Sequence, residues 1–115
     1  MTERAMQEST LLLLTALADA PRHGYALIGE VDAISGGRVR MRTGTLYGAL
    51  DRLLQQELIE IAAEEVVDGR ARRTYALTAA GREVLAVEAE RLRTVAAEAQ
   101  RRLGTAAVRP RGAGA

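Results

Sequence analysis

Arg38, Arg40 and Arg42 alternate with Val39 and Met41, and a Thr43-Gly44-Thr45 step follows them into a segment rich in leucine. Residues two apart on an extended chain project to one side, so three guanidiniums share one edge. A guanidinium fork suits phosphate, and also the O6/N7 edge of guanine, because its parallel N–H groups meet paired acceptors. The leucine-rich segment is predicted to be a helix. Leu46, Leu50, Leu53 and Leu54 fall on one face of it, and Tyr47, Asp51 and Gln55 on another. Thr43 or Thr45 can cap its start through a hydroxyl. Helix N-termini carry free N–H groups and partial positive charge, so arginines just ahead of one favour a phosphate there. The expected chemistry is recognition of a polyanion, with Thr43, Thr45, Tyr47 and Arg52 as the side chains that the helix would bring to bases or backbone.

A second basic group supports this. Arg70, Arg72 and Arg73 follow Asp68-Gly69, a dipeptide that favours a tight hairpin turn because both residues tolerate positive φ. Gly69 and these arginines would then sit at a hairpin tip able to reach backbone or minor groove. Tyr25 is balanced between phosphate contact and packing, whereas Tyr75, alternating with Arg73 and Leu77, is expected in the core.

Other chemistries find no support. The chain has no cysteine, which excludes disulfides, thiolate metal sites and a cysteine nucleophile. His23 is the only histidine, too isolated for a triad or a metal set, and is read as a turn residue. Gly44-Thr45-Leu46-Tyr47-Gly48 lacks the lysine and preceding strand of a phosphate loop. Glu60, Glu64 and Glu65 form a solvated acidic patch. No metal, cofactor or enzymatic reaction is expected. All 16 basic residues are arginine, yet the formal net charge is only +1. The arrangement of charge is therefore more informative than its sum, and the lack of lysine is read as genomic base composition. No apolar run approaches the roughly 20 residues needed to span a membrane, so a cytoplasmic protein with no membrane partner is expected.

The elements that must position these groups follow from spacing. One helix is expected over residues 5–19 and ends before Pro21. A second runs from Tyr25 to Ile34, closed by Gly36-Gly37. The leucine-rich third ends near Gln56. Residues 59–66 and 72–78 are predicted to pair as a hairpin, and Thr78 to cap a last helix. In that helix Leu85, Ala89, Leu92, Ala96, Ala99 and Leu103 are spaced 4, 3, 4, 3, 4, a heptad seam suited to a second copy of the chain. Leu13 is expected to join that dimer contact. The fold class expected is mainly α with a small β-hairpin: a winged helix-turn-helix over residues 5–78, a dimerisation helix over 79–103 and a disordered tail over 104–115.

Three motifs then stand together: His23-Gly24-Tyr25; Gly44-Thr45-Leu46-Tyr47-Gly48-Ala49-Leu50; and Tyr75-Ala76-Leu77-Thr78-Ala79-Ala80-Gly81. Over residues 8–86 the chain resembles the PadR family of bacterial transcriptional regulators. The resemblance implies a repressor that dimerises through its C-terminal helix and places Tyr25, Thr45, Tyr47, Gly69 and Arg70 at DNA-contacting positions. It points to the smaller subgroup, some of whose members bind planar hydrophobic drugs at the dimer interface. A small hydrophobic effector is thus a candidate partner, although the tryptophan of that pocket has no counterpart here. Two departures from the family pattern stand out: Gly48 replaces the usual proline, and Arg42-Thr43 replaces Ser-Pro. The expected partners are double-stranded DNA bearing an inverted repeat and a second copy of the chain. The competing reading is a winged-helix module that binds protein without specific DNA recognition.

Overall fold

The computed structural model describes residues 6–107. It divides into a first unit that ends at Leu85 and a second that begins at Ala86. The element order is α1 (Glu8–Ala16), β1 (Arg22–His23), α2 (Gly24–Ile34), α3 (Thr43–Gln55), β2 (Ile59–Val67), β3 (Arg70–Leu77) and α4 (Ala79–Ala107).

The core of the first unit is almost entirely aliphatic, as a chain without Phe or Trp requires. Leu13, Leu14 and Leu17 from the α1 region meet Leu27 and Val31 of α2, Leu46 and Leu50 of α3, and Ile59 of β2. Tyr75 is the one aromatic member, 3% exposed. Leu13 has no exposed surface at all. It is a core residue and not the dimer contact expected of it, because α1 packs against α2 and closes that side into the aliphatic cluster.

The sheet holds a surprise. Its strand order is β1-β3-β2, all antiparallel. The segment read as a plain turn supplies a third strand, with Arg22 opposite Tyr75 and His23 opposite Thr74. His23 Nδ1 and Thr74 Oγ1 lie 3.0 Å apart, so the histidine fastens this strand and is more than a turn residue. The hairpin follows the Asp-Gly signal: Asp68 and Gly69 have φ of 53° and 76°, the doubly left-handed turn that matches strand twist. It is longer than expected, since pairing extends to Val67 and Arg70 at the turn itself. A register shift between Ile61 and Ala63 marks a bulge, which bends and twists the strand locally.

Helix ends explain how the hairpin is placed. At the close of α3, Glu57 adopts φ 61° while the Leu58 N–H donates to the Leu53 carbonyl at 3.0 Å, a left-handed stop. The Thr78 hydroxyl donates to the Glu57 carbonyl at 2.7 Å and accepts the Gly81 N–H at 2.9 Å. It thereby caps α4 as predicted and ties the α3 stop to the α4 start. In α3, by contrast, the N-cap is Arg42, with no side-chain cap bond. Neither Thr43 nor Thr45 performs the expected capping, since both lie within the first turn and not ahead of it.

In the second unit, α4 displays exposed apolar side chains. Val87, Leu92, Val95 and Leu103 are 64%, 37%, 56% and 67% exposed. Four ion pairs accompany them: Arg91–Glu88, Arg93–Glu90, Arg101–Glu98 and Arg102–Glu98. Of the expected seam, Ala89, Leu92, Ala96, Ala99 and Leu103 are exposed, while Leu85 packs against the first unit's core. The helix runs to Ala107, past the position where the tail was expected to begin; residues 108–115 lie outside the described range.

Candidate nucleic-acid interface

Five sequence segments converge on one groove of about 700 Å³. It is lined by His23, Gly24 and Tyr25 from the β1–α2 junction, Tyr47 and Asp51 from α3, and Val67, Ala71 and the arginines of the hairpin. Tyr75 forms part of its floor. The wing is therefore not a separate appendage: β3 pairs with β1, and β1 leads directly into α2, so wing and helices share a wall.

Packing sets the aim of Tyr47. A Cβ added at Gly24 would lie 2.7 Å from the Tyr47 hydroxyl oxygen, closer than real contacts allow. The glycine is the space that the ring occupies. Nothing in the residue spacing announces this role of Gly24, because a glycine facing an aromatic residue of another helix is a signal that exists only in three dimensions. Tyr47 is 40% exposed and Tyr25 76% exposed, so both present phenol surface to solvent beside the arginines.

The alternation of the arginine segment is realised. Met41 is buried and Val39 half-buried, whereas Arg38, Arg40 and Arg42 are exposed. Their electrostatic situations differ, however. Arg38 forms a two-pronged contact with Glu8 of α1, one arm at 3.0 Å, and this contact raises its pKa and holds the Glu8 carboxyl below the usual carboxylate range. Arg40 Nε lies 3.6 Å from Asp32. Arg42 forms no ion pair among the described residues.

The wing shows the same division. Arg73 Nε donates to Glu64 across the hairpin at 3.0 Å, and Glu64, followed by the Tyr75 hydroxyl, raises the Arg73 pKa. Burial raises the Tyr75 phenol, against the pull of Arg73. Glu64 is thus a partner of Arg73, not merely part of a solvated patch. Arg70 and Arg72 form no ion pair among the described residues, and both are exposed. Thr43 and Thr45 are exposed on the first turn of α3. Arg52 is exposed but lines a different depression, with Met6, Gln7, Thr10 and Gln56. The structure does not bring it to the groove with Tyr47, because it lies more than a quarter-turn around the helix from that residue.

The described residues contain no cluster of carboxylates and histidine able to hold a metal ion, and no described helix is long and apolar enough to cross a membrane.

Comparison with known proteins agrees with this geometry. The family model for the transcriptional regulator PadR-like family matches residues 13–87. The transcriptional regulator Rv3488 of Mycobacterium tuberculosis is 40% identical over 88 residues, covering 76% of this chain and 78% of that protein. An uncharacterised 37.1 kDa protein in a transposon of Streptomyces fradiae is 44% identical over 82 residues, and this chain spans 22% of its length. Among solved structures, a PadR family regulator from Clostridium difficile superposes with a TM-score of 0.70 at 22% identity, covering 85% of this chain and 100% of that one. Bacillus subtilis PadR, solved in complex with operator DNA, gives 0.61 at 18% identity, covering 69% of this chain and 46% of that one. The two structural likenesses establish the winged-helix fold, and the family match over the core and groove adds the identity. The chain belongs to the PadR-like family of transcriptional regulators, which are not enzymes.

Proposed function

We propose that this chain is a homodimeric repressor that binds an inverted-repeat operator through the groove between α3 and the wing. The observation that carries the reading is the convergence of Tyr25, Tyr47, Arg70, Arg72 and Arg73 from separate segments onto that one groove. In this reading α3 enters the major groove, with Thr43, Thr45 and Tyr47 leading. Arg42 and the N–H groups of the uncapped α3 start meet backbone phosphate. Arg70 and Arg72, which form no ion pair among the described residues, hold the flanking backbone around Gly69. Arg38, Arg40 and Arg73 contribute once phosphates replace Glu8, Asp32 and Glu64. The exposed α4 residues Ala89, Leu92, Ala96, Ala99 and Leu103 join two copies, setting the two recognition helices about 34–36 Å apart on successive major grooves.

The test is a titration of the protein against DNA from its own upstream region and against random DNA at two salt concentrations. Preference for its own region by roughly 10³-fold or more, with a steep salt slope, is expected. Replacing Arg70 and Arg72 together should weaken both DNAs alike and flatten the salt slope by about 2. Weak, equal binding of the unaltered protein to both DNAs would instead favour a protein-binding winged-helix module.

A further inference from the structure

Asp51 is an acidic side chain in a groove otherwise furnished with arginines. It lines that groove with Tyr47, Arg70 and Arg73, one helical turn after Tyr47 on the same face of α3. It is exposed and forms no ion pair or hydrogen bond among the described residues. Its charge is felt across the groove, where it disfavours ionisation of the Tyr75 phenol. It therefore does not neutralise a neighbouring arginine, as Glu8, Asp32 and Glu64 do. A carboxylate here would also repel phosphate, so a surface serving only to hold DNA backbone would gain from losing it.

On the reading that this groove binds DNA, we infer that Asp51 is a specificity-determining residue that selects cytosine through its exocyclic amino group. An ionised carboxylate only accepts hydrogen bonds. In the major groove the guanine edge offers two acceptors, N7 and O6, and thymine offers O4 and a methyl group. Both are unfavourable partners for a carboxylate. Adenine offers the N6 amino group beside the N7 acceptor, so a carboxylate gains one contact and meets one repulsion. Cytosine offers the N4 amino group with no acceptor of its own on that edge. Asp51 thus rewards one base and penalises the others, while the arginines bind whatever sequence is present.

The experiment is selection from a randomised duplex DNA pool by the full chain, by Asp51→Asn and by Asp51→Ala, at one salt concentration. Melting curves that match across the three proteins show that each is folded. The unaltered chain should enrich a motif with a cytosine position whose replacement costs about tenfold in affinity. Asp51→Ala should lose preference at that position alone. Asp51→Asn should shift it toward adenine, since an amide both donates and accepts. Both variants should bind random DNA more tightly, having lost a like charge. An identical motif from all three proteins, or no cytosine position that responds to Asp51, overturns the inference while leaving the DNA-binding reading intact. Enrichment of no motif by the folded, unaltered chain removes the DNA-binding reading and this inference with it.

Discussion

Replacing Gly81 with alanine should destabilise the fold, although glycine-to-alanine changes in helices ordinarily do the opposite. Gly81 sits in the first turn of α4, where its N–H is held by the Thr78 hydroxyl. A Cβ there would lie 1.9 Å from the Leu58 carbonyl oxygen and 3.2 Å from Leu77 Cδ2. The obstacle is backbone, so relief requires the α4 start and the β2 entry to part by roughly 1 Å. That motion also strains the bond from the Thr78 N–H to the Leu58 carbonyl, now 3.1 Å. Helix propensity would contribute at most about 1 kcal/mol in favour of alanine. Overpacking costs about 1–3 kcal/mol, and the strained hydrogen bond adds about 1 kcal/mol. The net expectation is a loss of about 2 kcal/mol, which lowers the melting temperature by about 10 °C for a domain of this size. Gly29 is the control: it lies inside α2 with nothing within 4 Å of an added Cβ, so Gly29→Ala should stabilise by about 0.5–1 kcal/mol. Both are read by thermal and urea unfolding at one protein concentration, because self-association would shift the midpoint. If Gly81→Ala raised stability as Gly29→Ala does, the close approach at Leu58 would be refuted.

Three further perturbations separate the groove, the arginine segment and the α4 seam. Gly24→Ala should leave the melting temperature nearly unchanged but reduce operator affinity by about tenfold, the range of one lost specific contact, because the obstructed atom is the far end of the Tyr47 side chain; equal affinity in a fluorescence anisotropy titration would exclude that role for the ring. Glu8→Gln should release Arg38 and tighten binding to random DNA, with little change in stability, since exposed pairs contribute little. The pH dependence has the matching sign. Contacts with arginine hold the Glu8, Glu90 and Glu98 carboxyls below their ordinary value, so the stability they add is present above that value and fades as pH falls through the lowered one; acid titration followed by circular dichroism should show this decline shrinking at high salt. Leu92→Glu, at an exposed apolar position on α4, should convert the proposed dimer to monomer in sedimentation while preserving helical content.

What could be read in advance was what depends on neighbours along the chain. Apolar period set the inward face of α3, Asp68-Gly69 set the hairpin turn, and Thr78 set the start of α4, because each rests on contacts within a few residues. What period and spacing could not supply were contacts across the fold. Arg22 and His23 contain too little pattern to announce a strand; only β3, some fifty residues on, makes them one. Leu13 looked available to a partner because period alone does not say how many sides of a short helix will be covered. Arg52 looked equivalent to the other arginines until the winding of α3 placed it beside Gln56. Composition and local spacing by themselves therefore determined an aliphatic helical core, a two-residue turn and a set of arginines at element ends. Tertiary structure decided which of those arginines are held by Glu8, Asp32 and Glu64, and that Gly24 is the seat of the Tyr47 ring. It also decided that Asp51 faces the same groove as the wing, since side-chain proximity between distant segments is a property of packing and leaves no periodic trace in the chain.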